Sequence, residues 1–395
     1  MKSIISTRMI FILLTTVICG GCKQVNIQDN DFITVDVTAS YPHKKLILQD
    51  FMDVEYIPLE TTDEFVCEGF LEAVGKDIIV VRSKDSGDIF IFDRKGKAVR
   101  KINRKGQGAE EYTQILGITL DEDNSELFVN NIYGKKVIVY DLEGNFKRSF
   151  PQKEDFMYGY IFNFDQDNLI CYDVFNENNS IVFHTGQPLM LISKQDGSIT
   201  KEIKLPFKEK KTTAMRIKDE ASGVTYVSMP SAHYPIIPYQ GNYLLVEPSS
   251  DTIYSYSPAH VMTPLIARTP SVQSMDPEVF LFLSIFTDRY YFMRTVKKEY
   301  DFETRKGFHE VDLMYDKQKK AIFKYTIYND DYLNEGEVYM TLKPINEEIA
   351  TWLPLTADRL VEAYEKGKLK GRLKEIAAKL DDESNPVIML IKHKK

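Results

Sequence analysis

Beyond residue 35, apolar and polar positions alternate in short runs separated by turn residues, a pattern that predicts antiparallel β-strands. One predicted hairpin joins DIIVVRS at 77–83 to DIFIFD at 88–93, and a second joins ELFVNN at 126–131 to VIVYDL at 137–142. Because side chains of a strand point alternately to opposite faces, each run presents an apolar face to a core. The chain is therefore predicted to consist mainly of β-sheet.

The predicted strand pairs repeat along the chain. The segment IFIFDRKGKAVRKI at 89–102 matches VIVYDLEGNFKRSF at 137–150, since each has a strand, an aspartate, a glycine and another strand in the same order. Three weaker copies follow, at 189–203, 251–266 and 311–325, and the segment 385–394 offers one more such strand, which makes six units. Such a unit buries its faces only by stacking on its neighbours. The fold class is therefore predicted to be all-β, a single six-bladed β-propeller over residues 36–395.

The two ends of the chain are predicted to close the ring, with VEYIPLET at 54–61 beside the last strand. Helical spacing of apolar residues interrupts the strand pattern at 356–382. Gly367 and Gly371 divide this region, which is predicted to form two short helices packed on a blade face; a partner-binding helix is the alternative. The apolar run VFLFLSIF at 279–286 is too short to span a bilayer and is predicted to be a buried strand.

The N-terminus carries a targeting signal. A basic start and the apolar run at 9–18 precede CGGCKQ, which resembles the lipobox of bacterial lipoproteins, with Cys22 as the acylated residue. Cys19 departs from that pattern, in which leucine is usual, and an ordinary cleaved signal peptide is the alternative. Residues 1–21 are predicted to be a lipoprotein signal peptide and 22–35 a tether, so the protein is expected in the cell envelope, attached to the membrane only through its N-terminal lipid.

The charge of the chain narrows the range of partners. The formal net charge is −8, and loss of Lys2 and Arg8 with the signal makes it −10. An acidic chain has no electrostatic attraction to nucleic acid, so no nucleic-acid partner is expected.

Cys67 and Cys171 stand next to apolar residues and are predicted to be buried free thiols, with a single disulfide between them as the alternative.

Catalytic signatures are missing from the sequence. It contains no G-x-S-x-G and no H-E-x-x-H, and DEDNSE at 121–126 lacks the glycine and distal glutamate of a calcium loop, so a hairpin turn is predicted there. No two histidines have metal-ligand spacing; they are His43, His184, His233, His260, His309 and His393. No catalytic residue, metal or cofactor is predicted.

The stretch KINRKGQGAEEY at 101–112 has two glycines in the manner of a phosphate loop. The residues that follow the glycines are Ala109, Glu110 and Glu111, where a phosphate loop needs lysine and a hydroxyl, and two carboxylates repel phosphate. The stretch is therefore predicted to connect consecutive blades, with the glycines permitting a tight turn.

Taken together, the chain resembles the six-bladed β-propeller lipoproteins of Gram-negative envelopes, relatives of the NHL-type propellers. The resemblance is most specific at 54–61, at 91–112 and in SNPVIML at 384–390. The family pattern in the connecting loop is Gly-Gln-Gly-Pro-Gly-Glu-Tyr, and Ala109 and Glu110 replace its proline and last glycine. The matching residues are Gly106, Gln107, Gly108, Glu111 and Tyr112. The resemblance implies an envelope binding protein.

We expect a monomeric, non-catalytic binder of a glycan, a peptide or a partner envelope protein at one end of the propeller. The candidate ligand residues offer planar hydrogen-bonding groups, a carboxylate and an aromatic face; they are Arg104, Gln107, Glu111 and Tyr112. An envelope scaffold and a metal-dependent hydrolase or lyase acting on a sugar or lactone remain alternatives. An aromatic-lined funnel would favour the binding protein, and an exposed apolar patch would favour the scaffold. Carboxylates or imidazoles that converge on the axis would favour the enzyme.

Overall fold

The first three strands of the protein do not pair with one another, because each joins a different sheet formed later in the chain. The structure, a computed structural model, describes residues 32–154, 156–174, 187–231, 233–333 and 336–394. The predicted signal peptide and Cys22 lie outside the described residues. The three strands are β1 Ile33–Asp36, β2 His43–Ile47 and β3 Met52–Pro58.

Six sheets in the described residues form the blades of a β-propeller, as predicted. Blades 1 to 3 are four-stranded antiparallel sheets that follow one another in the chain. Blade 1 comprises β4 Phe70–Val74, β5 Ile78–Arg82, β6 Ile89–Asp93 and β7 Ala98–Ile102. Blade 2 comprises β8 Ile115–Asp121, β9 Glu126–Asn131, β10 Lys136–Asp141 and β11 Phe146–Pro151. Blade 3 comprises β12 Tyr158–Asn163, β13 Asn168–Asp173, β14 Leu189–Ser193 and β15 Ile199–Ile203.

A hairpin on the connection from blade 3 to blade 4 precedes the second half of the ring. It comprises β16 Met215–Lys218 and β17 Thr225–Ser228. Blade 4 comprises β18 Ile236–Tyr239, β19 Asn242–Leu245, β20 Thr252–Tyr256 and β21 Met262–Thr269. Blade 5 contains β22 Val279–Phe286, β23 Tyr290–Lys297, the small hairpin β24 Tyr300–Asp301 with β25 Lys306–Gly307, then β26 Glu310–Asp316, β27 Ala321–Tyr328 and β28 Glu337–Val338. Blade 6 contains β29 Ile349–Leu355 and β30 Val387–His393. The predicted buried strand at 279–286 is β22.

Burial follows the position of a strand within its blade. Both faces of the middle strands are covered, because blades stack face to face; all six residues of β9 are buried. The outer strands β7, β11 and β15 keep exposed positions, because they are the edge strands of their blades. Cys67 and Cys171 lie buried in these inter-blade cores as free thiols, as predicted, and burial raises the pKa of Cys67 to about 11.

The N-terminal strands close the ring. Strand β3 pairs antiparallel with β30, which confirms the predicted closure by the two ends of the chain. Strand β1 adds to the outer edge of β21 in blade 4, and β2 adds to β27 in blade 5, both in parallel. The predicted start of the propeller at residue 36 is therefore three residues late, because Ile33 and Val35 are already buried in the core of blades 4 and 5.

The interruption between β29 and β30 forms two short helices, as predicted: α1 Ala357–Glu365 and α2 Gly371–Ala377. Both glycines in the break, Gly367 and Gly371, have positive φ angles of 64° and 58°. Leu360 and Leu373 are buried in the core that blades 5 and 6 share. None of the helices in the described part of the chain is long or apolar enough to cross a membrane.

Candidate ligand site on the propeller axis

The innermost strands of the blades surround a cavity on the propeller axis. Strands β4, β8, β12, β18 and β22 are the first strands of their blades; β8 contacts both β4 and β12, and β22 contacts β18. They run in the same direction. The inner strands begin at the end of the ring where each blade is connected to the next, and we call this the connection end. At the opposite end each inner strand turns into the second strand of its blade, and we call this the turn end. The axial cavity is lined by residues of β4, β8, β12 and β18 and has a volume of about 1170 Å³.

Blade 6 contributes an irregular segment to the cavity. Residues 340–347 precede β29 and occupy the place of an inner strand. Thr351 Oγ1 donates to the Lys343 carbonyl at 2.9 Å, which joins this segment to β29. Asn346 Nδ2 donates to the Val74 carbonyl at 2.7 Å, which joins it to blade 1. The segment forms no strand in the described residues, and both Lys343 and Glu347 line the cavity.

Aromatic side chains line much of the cavity; they are Phe70, Tyr160, Phe162, Tyr234, Tyr243 and Trp352. Phe70 and Tyr234 lie nearer the connection end, because Phe70 begins β4 and Tyr234 stands two residues before β18, whereas Tyr160 is the third residue of β12. The rings of Tyr160 and Tyr234 meet edge to face with centroids 5.9 Å apart. The Tyr160 hydroxyl donates to the His233 carbonyl at 3.1 Å. These contacts hold the rings in fixed orientations and leave part of each exposed to the cavity.

One buried carboxylate on the cavity wall holds two cations. Glu72, which is 8% exposed, accepts from Arg82 Nε at 2.5 Å and from Lys343 Nζ at 2.9 Å. It also accepts from the Ile118 amide at 3.2 Å. Burial acts to raise the pKa of Glu72, but the charges of Lys343 and Arg82 outweigh it, so the pKa lies below its usual range. We call Glu72, Arg82 and Lys343 the Glu72 cluster.

The turn end of the cavity is acidic. Glu122 accepts from the backbone amides of Lys76 and Asp77 at 2.8 Å and 3.2 Å. Glu347 lies in the cavity, where burial raises its pKa although the amides of Gly241 and Gln240 oppose that shift. The described residues contain no group of three or more histidine, cysteine, aspartate or glutamate side chains placed to hold a metal ion.

The loop at 101–112 connects blade 1 to blade 2, as predicted, but it does not line the axial cavity. Tyr112 is fully buried, its hydroxyl donates to the Gly87 carbonyl at 2.7 Å and accepts from the Arg104 amide at 2.9 Å, and burial raises its pKa to about 12. The ring also packs edge to face on Tyr140. The predicted role of Tyr112 as a stacking face is therefore wrong, because no face of the ring is exposed.

The other three predicted ligand residues stand on the surface of this loop. Glu111 accepts from the Gly108 amide at 2.8 Å and so closes the turn. Arg104 Nε donates to the Gly144 carbonyl of blade 2 at 3.2 Å. Arg104 and Gln107 are exposed, and their contact with a ligand stays a prediction. The structure brings these residues together in one connection, apart from the aromatic cavity.

Sequence reasoning missed the Glu72 cluster. Glu72 and Arg82 lie in adjacent strands of blade 1, whereas Lys343 belongs to blade 6. They meet only because the ring closes between those blades. The one available signal was Glu72 itself, a glutamate at the centre of the otherwise apolar strand FLEAV at 70–74.

Solved structures with similar folds come from bacterial proteins among others. A protein of Bacteroides fragilis named "Putative exported protein" is 15% identical, with a TM-score of 0.63, over 92% of this chain and 100% of that chain. A member of the DUF4221 family from Bacteroides vulgatus is 11% identical, with a TM-score of 0.45, over 87% and 98%. Virginiamycin B lyase from Staphylococcus aureus is 13% identical, with a TM-score of 0.33, over 62% and 85%. At these identities the likeness concerns the fold alone.

Comparison with curated proteins gives no significant match. A family model does match, and it covers residues 32–392, from the residue before β1 to Lys392 in β30. Its description is "Domain of unknown function (DUF4934)", and the protein belongs to this family.

Proposed function

We propose that the protein is a non-catalytic binding protein of the cell envelope that holds a glycan in the axial cavity, entered from the connection end. The observation that carries this proposal is the aromatic lining of a cavity of about 1170 Å³. Ligand sites are typically concave, mainly apolar and equipped with a few polar groups that orient the ligand. Aromatic faces suit the C–H faces of sugar rings, while the Glu72 cluster supplies charged hydrogen-bond donors.

The location in the envelope rests on the sequence. The signal at 1–21 and the lipobox cysteine Cys22 support a chain that is exported and then acylated. Acyl chains would attach the protein to a membrane without any membrane-spanning segment. A propeller tethered in this way would present its axial cavity to molecules in the surrounding compartment.

A second candidate function, contact with another envelope protein, is favoured by the hairpin of β16 and β17. Ile217 and Tyr226 face each other across the two strands and are 48% and 53% exposed. Val224 and Val227 in the same hairpin are 47% and 50% exposed. Apolar side chains that cluster on one exposed element mark interaction surfaces more often than scattered ones do.

The test of the glycan proposal is an array of glycans and peptides probed with the mature protein, followed by titration of any ligand found. Phe70 lines the cavity and is 37% exposed, so Phe70→Ala is expected to weaken glycan binding about tenfold by removing a stacking face. Tyr133→Ala is the matched control, because Tyr133 is 75% exposed on the turn between β9 and β10 and does not line the cavity. Equal loss in both variants, or binding of peptides alone, would contradict the proposal.

A further inference from the structure

The outer edge of the Arg82 guanidinium has no acceptor among the residues that the structure describes. Its Nε donates to Glu72, and its Cζ lies over the Phe70 ring, 5.6 Å from the ring centroid. Among the described residues, no acceptor contacts either terminal amino group. A guanidinium has five N–H donors, so the four on the two terminal amino groups are available to a ligand. The Arg82 side chain lines the cavity.

Lys343 adds further donors beside this edge. Its ammonium carries three N–H donors, and its one acceptor among the described residues is Glu72. The side chains of Arg82 and Lys343 are 19% and 31% exposed, whereas that of Glu72 is 4% exposed. Glu72 is thus enclosed while both cations reach the cavity.

The charges of the Glu72 cluster do not cancel. Two cations share one carboxylate, and the pKa of that carboxyl is held low by Lys343 and Arg82, so Glu72 is ionised at neutral pH and one positive charge remains. A charge within a cavity wall is less screened than one on the open surface, which makes an anionic ligand favourable there. The acidic residues Glu122 and Glu347 stand at the turn end and would repel the same anion, so they orient it toward the connection end.

We infer that the Glu72 cluster binds the carboxylate of an acidic sugar, so the ligand of the axial cavity is a glycan that contains uronic acid. This inference rests on the proposed function and specifies its ligand class. The planar edge of Arg82 matches the two oxygens of a carboxylate and forms two parallel hydrogen bonds with them, while Lys343 contributes a third. Phe70, which is 37% exposed beneath the guanidinium, offers its ring to the face of the same sugar.

Glu72 has a positioning role in this site. It accepts from Arg82 Nε, from one N–H of Lys343 and from the Ile118 amide of blade 2, so three of its about four lone-pair sites are filled. Both cations therefore keep fixed directions before the ligand arrives, which lowers the ordering cost of binding.

The experiment uses the mature protein and an array of uronic-acid glycans, the same glycans after reduction of their carboxyl groups to alcohols, neutral glycans and acidic peptides. We expect binding to uronic-acid glycans, and a roughly 10- to 100-fold loss of affinity after carboxyl reduction, by isothermal titration calorimetry. Arg82→Gln and Lys343→Gln should produce a similar loss toward the acidic glycan and little change toward its reduced form. Arg100→Gln, on the exposed outer strand of blade 1, is the matched control.

Arg82→Lys keeps a positive charge beside Glu72 but lacks the planar edge of the guanidinium. The variant should therefore lose affinity for the acidic glycan while its melting temperature is preserved. Binding of neutral or reduced glycans with equal affinity would overturn the inference and leave the proposed function standing. Binding of acidic peptides in place of glycans would overturn both the inference and the proposed function. The absence of binding to any glycan on the array would also overturn both. An Arg82→Lys variant with full affinity would also overturn the bidentate contact.

Discussion

Tyr56 in the third strand of the protein pairs with Met389 in the last strand, although 332 residues separate them in the sequence. This pairing is the closure of the propeller. Strand β30 lies between β29 and β3, so both of its edges carry hydrogen-bond ladders. Its core residues from Val387 to Ile391 are all buried. The last strand therefore holds together blade 6 and, through it, both ends of the chain.

Deletion of residues 385–395 is expected to abolish the stable monomer. It removes β30 and exposes the edges of β29 and β3, and unpaired strand edges invite aggregation. Deletion of residues 394–395 alone is the control, because these residues follow the strand. Size-exclusion chromatography and thermal melting would measure the effect. A monomeric truncated protein with an unchanged melting temperature would show that closure does not depend on β30.

The second prediction concerns the loop at 101–112. Tyr112→Phe removes a hydroxyl that donates to Gly87 and accepts from Arg104, and we expect the free energy of unfolding to fall by about 1–3 kcal/mol. Ligand affinity should not change, because Tyr112 does not line the axial cavity. Tyr133→Phe, at an exposed position, is the control in chemical denaturation. Loss of ligand binding in Tyr112→Phe without loss of stability would restore this loop as the ligand surface.

The blades were predictable because their signal is local. Alternation of apolar residues defines hairpins such as β5 with β6, and the repeat of the strand–Asp–Gly–strand segment gives the number of blades. Closure could also be predicted, since β3 and β30 are strongly apolar strands at the two ends of the chain. Strands β1 and β2 were not predicted, because they are short and their partners, β21 and β27, lie more than 200 residues away.

The site was less predictable than the fold, for a related reason. Arg82 and Lys343 converge on Glu72 only in the closed ring, so no spacing in the sequence connects them. Tyr112 stands in a loop rich in glycine and charge, a composition that favours exposure. Its burial depends on space between blades 1 and 2, where it packs with Tyr140, and only the assembled blades define that space.

The third prediction concerns the membrane anchor. Replacement of Cys22 by serine removes the thiol that would carry the acyl chains, so the protein is expected to move from the detergent-soluble membrane fraction to the soluble fraction. Immunoblotting of fractions after a carbonate wash measures this shift. Cys19→Ser is the matched control, since Cys19 belongs to the part of the signal that is removed. Retention of Cys22→Ser in the washed membranes would contradict the lipoprotein prediction.

The last prediction concerns stability at low pH. Glu126, at the start of β9, is 5% exposed and accepts from both terminal amino groups of Arg148 at 2.7 Å, and Lys147 forms a third contact at 2.6 Å. The hydrogen bonds from Arg148 outweigh burial and, with Lys147, lower the pKa of Glu126 from 4.5 to about 2.

Because the pKa is lower in the folded state than in the unfolded state, ionised Glu126 stabilises the fold fully above pH 4.5, and this contribution is lost as the pH falls toward 2. Glu126→Gln should therefore be less stable than the parent protein at pH 7, and the difference between the two should shrink steadily between pH 5 and pH 2. Glu143→Gln, on an exposed turn of the same blade, is the control. Urea titrations at a series of pH values measure the difference. A constant difference from pH 7 to pH 2 would mean that Glu126 stabilises blade 2 through its shape and neutral hydrogen bonds, and that its charge contributes nothing.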